Sequence, residues 1–292
     1  MQTVRNIVYK SLLSLFWVFL VFLFTGDVSA GTLQIVFTSN INGALQNCGC
    51  GVEPLGGIGR IKTVLDSIRK VNKDVLLIDG GDFLNSYPYP NLNSKMLQSI
   101  HKMDYDVIVP GDHEFVEGYD FFKKIYTELN NAVLISNQEP TGAEKQFAYP
   151  GLRVAVSGFV APAVFEYIDR PESFTLINPD KSEMYVNSDT FFNILVFHGD
   201  KRDAAKIAEK HPGIDLILLG HDHFKGVQQI GDALIVGNGR DSEYFSLITV
   251  ETFSPNKVQT RHIKVIPTIP EDKGIKKIID TFLQTEHGSK PE

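Results

Sequence analysis

The segment Leu216-Ile217-Leu218-Leu219-Gly220-His221-Asp222-His223 joins four apolar residues to a glycine and then to two histidines flanking an aspartate. The short apolar run reads as a strand buried on both faces. Gly220 lets the backbone turn sharply off the strand end, because it carries no Cβ. In an α/β fold the loops at the carboxyl ends of strands converge on one crevice, so this strand delivers donor side chains to that edge.

The same arrangement recurs along the chain. Leu33 to Thr38 runs into Asn40-Ile41-Asn42, and Val75 to Ile78 into Asp79-Gly80-Gly81-Asp82. Val107 to Val109 precedes Gly111-Asp112-His113-Glu114, and Phe192 to Phe197 precedes His198-Gly199-Asp200. Any one of these clusters has an ordinary explanation. Asp82 alone would cap a turn or helix, and His198 alone would be a hydrogen-bonded core histidine. Five in succession at strand ends point instead to a shared metal site. Metal hydrolases need a carboxylate between cations and imidazoles to complete the shells.

Between the clusters, Ile58, Ile61, Val64, Leu65, Ile68 and Val71 recur at helical spacing. Helices are also predicted through Met96–Met103, Phe121–Leu129, Ala204–Ala208 and Ile275–Leu283. Further strands are predicted at Val133–Ile135, Val154–Val160, Gly226–Ile230, Ala233–Gly237, Phe245–Thr252 and Gln259–Val265, and residues 165–190 are read as loop. Strands alternating with helices, then a run of strands, give the α/β class with mixed sheets. No repeat or linker interrupts residues 31–292, which are read as one domain.

Together the motifs Gly80-Gly81-Asp82, Gly111-Asp112-His113-Glu114, His198-Gly199 and Gly220-His221-Asp222-His223 resemble the calcineurin-like metallophosphoesterases. Leu55-Gly56-Gly57-Ile58-Gly59-Arg60 and Asp215-Leu216-Ile217-Leu218-Leu219-Gly220-His221 resemble that superfamily's 5′-nucleotidase branch, and the likeness spans roughly residues 32 to 252. The resemblance implies two packed β-sheets flanked by helices, a four-layer sandwich with metals at the strand ends. It also implies hydrolysis of a small phosphorylated substrate with one or two divalent ions such as Mn, Zn or Fe. It makes Asp82 the bridging carboxylate and groups it with Asp112, His198 and His221 at one metal. His223 would serve the other metal with Asp82 and the first cluster. His113 becomes a non-ligand group at the phosphate or leaving oxygen, and Arg60 a phosphate or supporting contact.

The chain departs from the pattern at the first cluster, where Asp-x-His is replaced by Asn40-Ile41-Asn42, while Asp112 stands in place of an Asn. Asparagine binds divalent ions more weakly than carboxylate or imidazole. Charge has moved from the first metal position toward the second. Cys48 and Cys50 are the only cysteines and come in the next loop. They are read as a thiolate donor for the weakened position, as a strained redox pair, or as a structural loop feature. Three functional classes remain open: a hydrolase of phosphate mono- or diesters, a redox or sulfur-compound protein using Cys48 and Cys50, and a non-catalytic metal-binding module. The related thiosulfate-ester hydrolases keep a sulfur-containing substrate open. The nucleotide-stacking second domain of the branch has no counterpart in the roughly forty residues after Thr252, so nucleotide specificity is not implied.

The first thirty residues read as a signal peptide. Arg5 and Lys10 precede the apolar run Leu12 to Phe24, and Val28-Ser29-Ala30 suits cleavage. The run is short of the roughly 20 residues a membrane span needs, which makes an uncleaved anchor the lesser alternative. The expected location is periplasmic or secreted, with membrane contact only through an uncleaved segment. Residues 31–292 carry 26 basic and 34 acidic side chains. That balance excludes a basic nucleic-acid face, but not an anionic substrate, since bound cations supply positive charge locally.

Overall fold

The computed structural model describes residues 31–47, 54–129, 131–179, 191–255 and 257–288. The predicted signal segment, Cys48 and Cys50 lie outside the described residues.

Two mixed sheets organise the chain. The first has strand order β11-β10-β1-β2-β3, built from β1 (Thr32–Thr38), β2 (Val75–Asp79), β3 (Val107–Ile108), β10 (Tyr244–Glu251) and β11 (Val258–Lys264). The second has order β4-β5-β6-β7-β9-β8, from β4 (Lys145–Tyr149), β5 (Leu152–Val160), β6 (Phe192–Gly199), β7 (Leu216–His221), β8 (Lys225–Ile230) and β9 (Ala233–Asn238). β1, β2 and β3 run parallel, as do β5, β6, β7 and β9. These central strands are covered on both faces, so β6 is buried along its whole length and β7 up to its last residue. The edge strands β4 and β8 alternate between half-buried and exposed.

Helices flank the sheets. α1 (Ile58–Val71) buries Ile58, Ile61, Val64, Leu65 and Ile68 along one stripe. Val71 is 60% exposed, so the stripe ends one turn before the predicted residue. Arg69 and Lys70 occupy the last turn, complementing the helix dipole. α2 (Pro90–Met103) starts on a proline, whose fixed φ suits the first helical position. α3 (Tyr119–Glu128) comes after the third cluster, and α4 (Lys201–Lys210) packs on β6 to β9. α5 (Lys273–Gly288) closes against α1 and α2.

Two expectations change. Val133–Ile135 forms only a single bridge, Ile108 to Val133, because β3 is two residues long and leaves little edge to extend. Residues 165–190 begin inside a short 3₁₀ helix, Pro162–Glu166. Strand register aligns the polar clusters. Thr38 lies beside Asp79, and His198 beside Gly220. The carboxyl ends of β1 and β2 are therefore level in one sheet, and those of β6 and β7 in the other.

Candidate metal centre

Asp82, Asp112, His198 and His221 each bring one donor atom to within 4.8 Å of the others. Two come from loops of the first sheet and two from strands of the second. His198 Nε2 is 3.4 Å from both Asp82 Oδ1 and Asp112 Oδ1. His221 Nδ1 is 3.3 Å from Asp112 Oδ1 and 3.9 Å from Asp82 Oδ2.

The tautomer of His198 is set by its other nitrogen. Nδ1 lies 2.7 Å from the carbonyl oxygen of Gly80, which only accepts, so Nδ1 carries the proton. Nε2 is then the nitrogen left to take a proton or an ion, fully buried and facing two carboxylates. That point demands a cation. Burial alone would lower the His198 pKa, but Asp82 and Asp112 outweigh it and lift it to about 9. Asp112 moves the opposite way: burial raises it, yet bonds from His198 and His221 hold it below the ordinary carboxylate range. A proton satisfies the site in the metal-free chain. Two carboxylates and two imidazoles equally suit a divalent ion, with the Gly80 carbonyl orienting His198 from behind.

Close approach makes the site possible. A Cβ on Gly111 would lie 2.2 Å from Asp82 Oδ1 and 2.3 Å from His198 Cε1. One on Gly220 would lie 2.0 Å from the Gly80 carbonyl oxygen. Glu114 shapes the same corner. Its fully buried carboxylate accepts main-chain N–H groups from Asp82, Phe83, Leu84 and Gly111, at 3.0, 2.9, 3.1 and 2.6 Å. Burial, and then the nearby Asp82 charge, raise its pKa.

Six non-glycine residues around this corner hold left-handed backbone: Asn40, Asn42, Asp82, His221, Asp241 and Ser242, with φ between 52° and 67°. Each such conformation costs of order 1 kcal/mol and persists only where surroundings enforce it. Asp241 and Ser242 have no place among the residues predicted from sequence. They lie on the loop between β9 and β10, and the only sequence signal was the turn-forming run Gly239-Arg240-Asp241-Ser242.

The remaining predicted residues surround the four donors or stand apart from them. Asn40 Oδ1 accepts the main-chain N–H of His221 at 2.8 Å, and its Nδ2 donates to Gly239 O at 2.9 Å. Asn42 Nδ2 donates to Asp241 Oδ1 at 2.9 Å, while its buried Oδ1 has no hydrogen-bond partner. His113 donates its main-chain N–H to Asp82 Oδ1 at 3.2 Å. Its Nδ1 lies 3.2 Å from Leu84 O, which leaves Nε2 for another partner. His223 is exposed and stands outside the four-donor group. Partial burial of its ring and the Arg240 charge lower its pKa. The Arg60 guanidinium donates to Gly56 O at 2.6 Å and Asn47 Oδ1 at 3.2 Å, and lies 4.0 Å from Glu271. Arg60 therefore fastens the glycine loop to α1.

Comparison with known proteins places this arrangement. Residues 20–225 match the family model described as calcineurin-like phosphoesterase. Protein 5NUC of Lutzomyia longipalpis is 26% identical over 190 residues, covering 58% of this chain and 33% of that protein. The chain spans between 33% and 40% of the length of the curated relatives it matches. Among solved structures, the 5′-nucleotidase precursor of Thermus thermophilus aligns with a TM-score of 0.75 at 18% identity, over 88% of this chain and 59% of its own. The sulfate thiohydrolase SoxB of Thermus thermophilus aligns with a TM-score of 0.75 at 16% identity, over 88% and 61%. These two likenesses establish a shared fold.

Proposed function

The chain belongs to the calcineurin-like phosphoesterase family, and from that membership we propose that it is a metal-dependent hydrolase of phosphate mono- or diesters whose first metal position is altered. The four-donor group carries this reading, above all His198 Nε2 set between two carboxylates. Asp82, Asp112, His198 and His221 would hold a divalent ion. Bound there, it supplies Lewis-acid polarisation of a phosphoryl oxygen and a nucleophile from water near neutral pH. His113 supports the leaving group: Leu84 O holds Nδ1–H, and in its imidazolium form the ring donates the Nε2 proton to the departing oxygen and is left neutral, worth typically ~10²–10⁴-fold. Glu114 keeps Asp82 and Gly111 in place while charge shifts.

The altered position rests on Asn40 and Asn42: both ends of the Asn40 amide are engaged, by His221 and Gly239, while Asn42 gives Nδ2 to Asp241 and keeps only a neutral Oδ1 without a partner. Hydrolysis of an aryl phosphate by the purified chain, across several divalent metals, tests the activity. Asp82→Ala should lose bound metal as well as turnover. Equal metal content in parent and variant would overturn the ligand assignment.

The basic, apolar and small-residue order of residues 1–30 supports export with cleavage after Ala30. Among the described residues no helix is long and apolar enough to cross a membrane. N-terminal sequencing of native protein decides the point, and a mature form retaining residues 1–30 would mean an anchored protein.

A further inference from the structure

Both unusual asparagines bind the same short loop. Asn40 Nδ2 donates to the carbonyl of Gly239 at 2.9 Å, and the Asn40 carbonyl accepts the N–H of Asp241 at 2.8 Å. Asn42 Nδ2 donates to Asp241 Oδ1 at 2.9 Å. Gly239 and Asp241 are the two neighbours of Arg240, so the pair clamps the backbone on both sides of one arginine. An aspartate at position 40 would have no N–H for Gly239 and would set two acceptors face to face. The amide at Asn40 is thus explained by the loop it holds.

Arg240 projects from this clamp. Its side chain is 63% exposed, while Gly239 and Ser242 beside it are buried. Its Nε lies 3.5 Å from Asp241 Oδ2. The other oxygen of that carboxylate accepts Asn42 Nδ2. Arg240 is therefore joined through Asp241 to the first cluster, where the resemblance would put the first metal ion. Among the described residues, only the group of Asp82, Asp112, His198 and His221 gathers three or more acidic or imidazole donors at ligand spacing.

The charges show what is missing. One divalent ion held by two carboxylates is neutral as a unit, so a dianionic phosphate meets little net attraction from it. A guanidinium is permanently charged, and its planar fork matches phosphate oxygens. We propose that this chain works with one metal ion, and that Arg240, clamped by Asn40 and Asn42, binds the phosphate group of the substrate where the first ion would otherwise sit. The inference rests on the phosphoesterase reading for its substrate class, a phosphate monoester.

The test uses the full-length purified chain loaded with Mn²⁺, and titrates inorganic phosphate by calorimetry beside metal analysis. Arg240→Ala should weaken phosphate binding about ten- to hundredfold, the loss of one charge-assisted contact. Arg240→Lys should recover part of it, and both variants should keep the parent's single equivalent of metal. Phosphate binding unchanged in Arg240→Ala, or absent from the parent, would overturn the proposal, and so would two tightly bound ions in the parent. Aryl phosphate turnover is measured in parallel. A parent that binds phosphate through Arg240 yet hydrolyses nothing would overturn the hydrolase reading and leave the Arg240 contact standing.

Discussion

The Glu114 carboxylate receives the main-chain N–H of Asp82 at 3.0 Å, so an acid buried in the protein positions the acid at the centre of the site. With the N–H groups of Phe83, Leu84 and Gly111 it forms a four-bond knot between the loops after β2 and β3. Glu114→Gln turns two acceptors into one acceptor and one donor, leaving N–H groups face to face. The expected loss is about 2–4 kcal/mol in urea unfolding, together with weaker metal retention. Unchanged stability would show that the knot is incidental.

Gly111→Ala tests the crowding directly. The added methyl would fall on Asp82 Oδ1 and His198, and neither can retreat without breaking a bond already described. The expected cost is about 1–3 kcal/mol of strain, with a larger fractional loss of metal affinity than of thermal stability. Equal metal affinity would place the glycine's importance elsewhere.

Asp79 sets a pH dependence. It is fully buried, and burial lifts its pKa to about 8 despite hydrogen bonds from Thr38 Oγ1 at 2.6 Å and the Gly81 N–H at 2.9 Å. A carboxyl raised in the folded state favours its proton there. Its share of stability is therefore present at low pH and is lost as pH climbs through about 8. Asp79→Asn is neutral at every pH and nearly the same shape. Its stability should fall less than the parent's between about pH 5 and about pH 9. Parallel curves for the two proteins would contradict the burial argument.

Cys48 and Cys50 give a test of the single-ion reading. If Arg240 fills the first position, a Cys48→Ser, Cys50→Ser double variant should bind as much metal as the parent, both reduced and oxidised. Loss of an ion on substitution or oxidation would instead assign a thiolate ligand to that position.

Much of this site was legible in the sequence because parallel strands buried on both faces leave uninterrupted apolar runs, and the residue ending each run is marked by glycine. That pattern points to a shared metal site among five clusters, and the family resemblance groups Asp82, Asp112, His198 and His221 within it. β4 was missed because Lys145-Gln146-Phe147-Ala148-Tyr149 is a short edge strand with one side in solvent. Glu114 was quoted in its motif without a role, since four main-chain donors cannot be seen in side-chain spelling. Arg240 and Asp241 were invisible for a similar reason. Their meaning depends on bonds from Asn40 and Asn42, about 200 positions away in the chain. Arg60 fitted its motif in sequence, yet its partners are Gly56, Asn47 and Glu271.

Asp82 and Asp112 hang from one sheet, His198 and His221 from the other, and no two donors of one sheet enclose the centre unaided. An ion seated among them is a rivet through two plates. The His221 side chain is 32% exposed, so the ion keeps one face open to water and substrate. Its removal would unfasten one plate from the other at this end, and the metal-free chain should open there first.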